Sequence, residues 1–175
     1  AVEEFKSLDG QFADNVIIQI KNGPIDFQPR EPFSPLFGQL YNTPMMMEFQ
    51  ITQEYLGFSN HLVYHGTTYE ECLDSDTYRD GKGSTIAKMV KAIAGVANTG
   101  QDPNFCGYIF AQSNWYAFGR LAWDPTLSAE QIANEWIRQT FIKPKGITPT
   151  AYEQNFLIPV KDMMMSSRET AVNYM

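Results

Sequence analysis

Residues 45–55, Met-Met-Met-Glu-Phe-Gln-Ile-Thr-Gln-Glu-Tyr, constrain the fold more than any other stretch of the chain. Side chains alternate faces along a strand, so a strand here has two distinct sides. One side carries Met47, Phe49, Ile51 and Tyr55, interrupted only by Gln53; the other carries Met46, Glu48, Gln50, Thr52 and Glu54. A solvent-facing side shows this pattern. The interior of a barrel near an active site shows it too, because polar side chains gather there from several strands.

Upstream, residues 16–21 (Val-Ile-Ile-Gln-Ile-Lys) predict a second strand, β-branched and closed by Gly23-Pro24. Such an apolar run suits a parallel strand buried on both faces. Residues 29–44 hold four prolines and little periodicity, which predicts a long connecting loop. Residues 69–73 predict the start of a helix, and Asp80-Gly81-Lys82-Gly83 a turn. Ser84 then reads as the cap of a helix with Ile86, Met89, Val90 and Ile93 on one stripe, stopped by Gly95. Residues 95–98 predict a short small-residue strand, with a helix over about residues 107–122 after it. Strand and helix in alternation predict an α/β fold with parallel strands.

Beyond Asp124-Pro125 the pattern is helical only. Ser128-Ala129-Glu130-Gln131 is a capping box, and Leu127 and Ile132 are spaced as its hydrophobic staple. Lys143-Pro144 marks the stop. A last helix is predicted from Pro159, with Val160, Met163, Met164, Ser167, Ala171 and Tyr174 on one stripe. The boundary falls near residue 124, dividing the chain into residues 1–123 and 124–175.

Composition excludes several functions. A net charge of −7 argues against nucleic acid, whose phosphates need a basic surface. No apolar run approaches the ~20 residues of a membrane span. Hydrophobic content of 43% in 175 residues is enough for a sizeable core. Cys72 and Cys106 match no zinc spacing and read as two buried thiols in preference to a disulfide. The first residues, Ala1-Val2-Glu3-Glu4, have neither an initiator methionine nor a leader pattern, and the last fall inside a helical phrase. The expectation is a piece of a longer chain.

Motif by motif, little catalytic chemistry survives except that of carboxylates. Gly81-Lys82-Gly83-Ser84-Thr85 lacks the first glycine of a phosphate loop and follows no strand, so it reads as a turn and cap. His61 and His65 have the spacing of a helical metal pair, but Leu62-Val63-Tyr64 favours extended chain. There is no Gly-x-Ser-x-Gly nucleophile elbow. What remains is Asp26, just after one predicted strand, and Glu54, on the polar side at the end of the next. Parallel barrels place catalysis at the C-terminal ends of strands, where two such carboxylates would converge as general acid–base hydrolysis of a glycosidic bond requires. Lys21 sits at the same mouth, a cation suited to an anionic substrate. From the residues alone the plainer alternative stands beside this one: Asp26 caps a turn and Glu54 is solvated. An alternative function is a non-catalytic carbohydrate-binding module in which Trp115, Tyr116 and Trp123 stack on sugars.

Longer phrases resolve the choice. Lys-Asn-Gly-Pro-Ile-Asp-Phe-Gln-Pro-Arg-Glu-Pro (21–32), Glu-Phe-Gln-Ile-Thr-Gln-Glu-Tyr-Leu-Gly (48–57), Gly-Val-Ala-Asn (95–98) and Phe-Gly-Arg-Leu-Ala-Trp (118–123) resemble signatures of the α-glucuronidases of glycoside hydrolase family 67, in the family's order. The resemblance implies the end of an eight-fold β/α (TIM) barrel, followed by the start of a helical C-terminal domain. It implies inverting removal of α-1,2-linked glucuronic or 4-O-methylglucuronic acid from xylo-oligosaccharides. Asp26 and Glu54 match the family's two water-side carboxylates, and Lys21 matches the residue that pairs with the uronic acid carboxylate. The general acid is a glutamate on an earlier strand, which this chain lacks, so the chain alone is expected to be inactive. Cofactor and metal are not implied. The implied partner is a small acidic oligosaccharide (an aldouronic acid), neither nucleic acid nor membrane, in a parent that dimerises through its C-terminal part.

Overall fold

Three short parallel strands form one sheet in the computed structural model, which describes residues 1–25, 27–52, 61–99, 101 and 107–174. Strand β1 is Ile18–Lys21, β2 is Met45–Gln50 and β3 is Val90–Val96, in the spatial order β1-β2-β3. Lys21 stands opposite Glu48, and Gln50 opposite Val96. All three strands run the same way, so their C-terminal ends lie along one edge of the sheet. The chain is therefore mixed α/β, as its alternating pattern predicts.

The apolar side of β2 is the core. Met45, Met47, Phe49 and Ile51 are almost fully buried, with Ile20 of β1 beside them. They pack against α2 (Gly66–Asp74), α4 (Ala111–Trp123) and α5 (Ala129–Thr140) through Tyr69, Leu73, Leu121 and Ile132. The Phe49 and Tyr69 rings lie 4.6 Å apart. The opposite side of the sheet is more open. Gln19 and Lys21 are exposed and Met46 and Glu48 half-buried, with Gln19 Nε2 donating to Glu48 Oε2 at 2.9 Å.

A short helix, α1 (Val2–Lys6), precedes β1. Residues 29–44 form no strand or helix, in line with their prolines, yet they supply Leu36, Phe37 and Leu40 to the core. Their far end is held by Asp9, whose carboxylate accepts from the Tyr41, Asn42 and Thr43 backbone N–H groups at 2.8–3.1 Å. Desolvation pushes that carboxyl up, but the hydrogen bonds from Tyr41, Thr43 and Asn42 outweigh it and hold the pKa at about 2.

Two elements depart from the sequence expectation. The predicted helix after Ser84 is a single turn, α3 (Ile86–Met89), with Thr85 at its N-cap position but no side-chain capping bond, and the chain then becomes β3. Val90 and Ile93 belong to the strand, which begins ahead of the predicted residues 95–98. β-Branched side chains suit a pleated surface, and the partner strand β2 decides between two readings that periodicity leaves equal. Gly95 does not stop a helix. A Cβ there would stand 2.5 Å from Ile51 Cδ1 and 2.8 Å from Phe118 Cζ, so the glycine lets α4 lie close against β3.

The second departure is in the last helical run, which starts ten residues before Pro159. Thr148 caps α6 (Pro149–Tyr152) by accepting from Ala151 N–H at 3.1 Å. A π-helical turn, Glu153–Leu157, leads directly into α7 (Ile158–Val172). Pro159 has no N–H to donate one turn back and its ring crowds that turn; the wider π turn accommodates both. Met164 and Ser167 of the predicted stripe are buried, whereas Met163 and Tyr174 are exposed. Ser128 caps α5 as expected, accepting from Gln131 N–H at 3.1 Å, and Glu70 of α2 accepts from Ala129 N–H at 3.0 Å. Among the described residues no helix is long and apolar enough to cross a membrane.

Candidate active site

The edge formed by the C-terminal ends of the strands concentrates polar side chains. At the end of β1, Lys21 is exposed and its Nζ lies 4.6 Å from the centroid of the Phe27 ring. Asn22 is buried: its N–H donates to Glu48 O at 3.0 Å, and its carbonyl accepts from Ser34 N–H at 2.8 Å. These bonds carry the β1–β2 ladder one residue further and fix where the following loop leaves the sheet.

That loop is folded on Glu31. Its carboxylate accepts from Ile25 N–H at 2.8 Å and from Gln28 N–H at 3.2 Å. Phe27 is buried and adopts φ +56°, a left-handed conformation uncommon outside glycine. Beneath the end of β1, Cys72 is a buried free thiol with Sγ 3.7 Å from Asn22 O. Burial, with Glu71 and Glu31 nearby, pushes its pKa up to about 12. Cys106 lies outside the described residues.

At the end of β2 the polar side turns inward. Gln50 and Thr52 are buried, and Gln50 Nε2 donates to Thr52 Oγ1 at 3.1 Å. The same hydroxyl accepts from Asn98 N–H at 2.9 Å, tying the ends of β2 and β3 together. Tyr69 OH donates to Gln50 O at 2.7 Å, and burial raises its pKa well above the ordinary phenol value. A buried hydroxyl that accepts two donors at a strand end stiffens this edge of the sheet.

Of the three residues predicted for the site, Lys21 is placed on this edge. Asp26 and Glu54 lie outside the described residues; Asp26 is flanked by Ile25 and Phe27, and Glu54 follows Thr52 by two positions. Lys21 and Glu48 are partners across the β1–β2 ladder, and Asp26 and Glu54 follow them in sequence by five and six residues. Sequence reasoning missed Glu31, Gly23 and Thr52. No spacing marks Glu31, since its partners are backbone amides, and Thr52 looked like one polar residue among four. His65 precedes α2 and His61 lies in the irregular segment before it, so they are not a helical pair. Among the described residues no group of three or more His, Cys, Asp and Glu could hold a metal. Of the aromatics of the alternative function, Trp123 is exposed, whereas Trp115 and Tyr116 are half-buried and Tyr116 OH is bonded to Glu135 and Gln139 of α5.

Comparison with known proteins gives the context for this edge. Residues 1–105 match the glycosyl hydrolase family 67 middle domain, and residues 106–175 match the glycosyl hydrolase family 67 C-terminus. The chain is 46% identical over 182 aligned residues to a protein of Aspergillus flavus named "Probable alpha-glucuronidase A", covering 99% of this chain and 21% of that protein. It is 44% identical to "Alpha-glucuronidase A" of Emericella nidulans, covering 99% of this chain and 20% of the relative. The chain thus spans about a fifth of the length of the curated relatives it matches. Two successive family models matching end to end settle the classification: this chain belongs to glycosyl hydrolase family 67.

Proposed function

We propose that this chain forms the closing part of the catalytic barrel of an α-glucuronidase, with the start of the helical region that follows. The reaction is inverting hydrolysis of α-1,2-linked glucuronic or 4-O-methylglucuronic acid from short xylo-oligosaccharides. The observation that carries the reading is Lys21 at the C-terminal end of a parallel strand, in a chain matched throughout by the family. An ammonium there suits a uronic acid carboxylate, because a charge-assisted pair offsets the desolvation that closing over substrate imposes.

The open side of the sheet supports the barrel. Helices cover the Met47–Phe49 side, whereas Gln19, Lys21 and Glu48 face away from them with the small Ala92 and Ala94 on the neighbouring rungs. In a closed barrel that polar side is the interior. Helix α4 is the helix that follows the last strand, since Gly95 is shaped to receive Phe118. The barrel portion accordingly runs through residue 123 and the helical region begins at 124, although the two family models meet at 105 and 106.

Asp26 and Glu54 are the water-side carboxylates. One or both take a proton from water as its oxygen attacks the anomeric carbon. The bond to the xylose oxygen breaks on the opposite face, where a glutamate from outside this chain donates a proton. Inverting enzymes hold their acid and base ~6.5–9.5 Å apart to admit that water. Interacting carboxylates act as a unit, so the proposal assigns the base role to the two together. The test is Asp26→Ala in a full-length family enzyme that carries this chain, assayed on aldouronic acids. A large loss of turnover with the fold intact is expected; near-normal turnover rules the assignment out.

A further inference from the structure

One carboxylate fixes the backbone on both sides of Asp26. Glu31 Oε2 accepts from Ile25 N–H at 2.8 Å, and Oε1 accepts from Gln28 N–H at 3.2 Å. The close approach depends on Gly23. A Cβ at that position would stand 2.0 Å from Glu31 Cδ and 2.3 Å from Oε1, so any side chain at residue 23 would displace the Glu31 carboxylate. Between the two bonded amides, Phe27 holds φ +56°. A non-glycine residue is strained in such a conformation, so the surroundings must hold it there. Two charge-assisted N–H···O⁻ bonds to one planar group flank it, Phe27 N–H donates to Ile25 O at 3.0 Å, and the buried Phe27 ring lies 4.6 Å from the Lys21 ammonium. Anchors further out steady the same loop. Thr68 Oγ1 donates to Pro29 O at 3.3 Å, and Arg30 pairs with Glu169 of α7 at 3.3 Å.

We infer that Glu31 is a positioning residue for the water-side carboxylate. It acts through the backbone of the Asp26 loop, and Gly23 makes room for it. The inference rests on the reading of Asp26 given above. Its consequence is that the nine residues from Gly23 to Glu31 work as one unit, in which Glu31 acts on the base through the loop backbone.

The test is made in the full-length enzyme on an aldouronic acid, with turnover expressed per folded molecule from the melting curve. Glu31→Gln keeps the size of the side chain but replaces one acceptor oxygen by an amide nitrogen that cannot accept. A misplacement of about 1 Å at the reacting group lowers turnover by up to about 100-fold, so kcat should fall about 10- to 100-fold. KM should stay within about threefold, because substrate binding through Lys21 is retained. Glu31→Asp, one methylene too short, should follow Gln rather than the parent. Gly23→Ala should give a similar loss, and the combined variant no more than the larger single one. A Glu31→Gln enzyme with unchanged kcat per folded molecule, or a loss confined to KM, overturns the inference if Asp26→Ala is inactive. If Asp26→Ala also retains turnover, the reading of Asp26 falls as well.

Discussion

Ser167 joins the last helix to the segment that precedes α2, across 103 residues of chain. Its Oγ accepts from Tyr64 N–H at 2.8 Å and donates to Met164 O at 2.5 Å. Tyr64 is fully buried and Ser167 is 6% exposed, so water does not readily replace the hydroxyl. Ser167→Ala removes a single oxygen and leaves a buried backbone donor without its acceptor, which costs about 1–3 kcal/mol. The better helix propensity of alanine offsets about 0.5 kcal/mol of that. A net loss of about 0.5–2.5 kcal/mol is expected. The internal control is Ser166→Ala one residue earlier, where an exposed hydroxyl bonds only to carbonyls of its own helix, Asp162 O and Met163 O. That change should be neutral or slightly stabilising. Urea unfolding of both variants, with amide exchange at Tyr64, measures the difference. If Ser167→Ala comes within about 0.5 kcal/mol of Ser166→Ala, the spread of ordinary surface substitutions, the hydroxyl does not join the two regions as argued.

Two further outcomes follow from the same contacts. Lys21→Met in the full-length enzyme removes the ammonium proposed to meet the uronic acid carboxylate and should raise KM about 10- to 100-fold, with a smaller effect on kcat; steady-state kinetics showing unchanged KM would exclude the role. Asp9 has a folded pKa of about 2 against an ordinary 3.8, so the stability it supplies is complete above the ordinary value and is lost as pH falls through about 2. Asp9→Asn should therefore melt lower than the parent at pH 6, and the gap should narrow at pH 2.5.

The sequence pattern carries the sheet's strongest member well. The alternation in β2 separates a buried apolar side from a polar one, and the polar side becomes buried only towards Gln50 and Thr52. The Ser128 cap is equally plain, because capping is a local matter of one oxygen and one amide. Strand β3 is the opposite case. Ile86, Met89, Val90 and Ile93 satisfy a helical stripe, and only the distant β2 and Phe118 make Val90–Val96 a strand. The role of Gly95 was hidden for the same reason, since a close approach and a helix stop use the same residue. In the site, Lys21 is legible as a charge at a strand end. Glu31 is not, because what it binds is backbone six and three residues away, and any sequence presents those amides.

The account stands or falls on Asp26. General-base assistance contributes about 10²–10⁴-fold to a rate, so Asp26→Ala in the full-length enzyme should lower kcat on an aldouronic acid by about that factor. Its melting temperature should stay close to the parent's, and the substrate should still bind through Lys21. Turnover within a few-fold of the parent would contradict the placement of the water-activating group on the loop after β1.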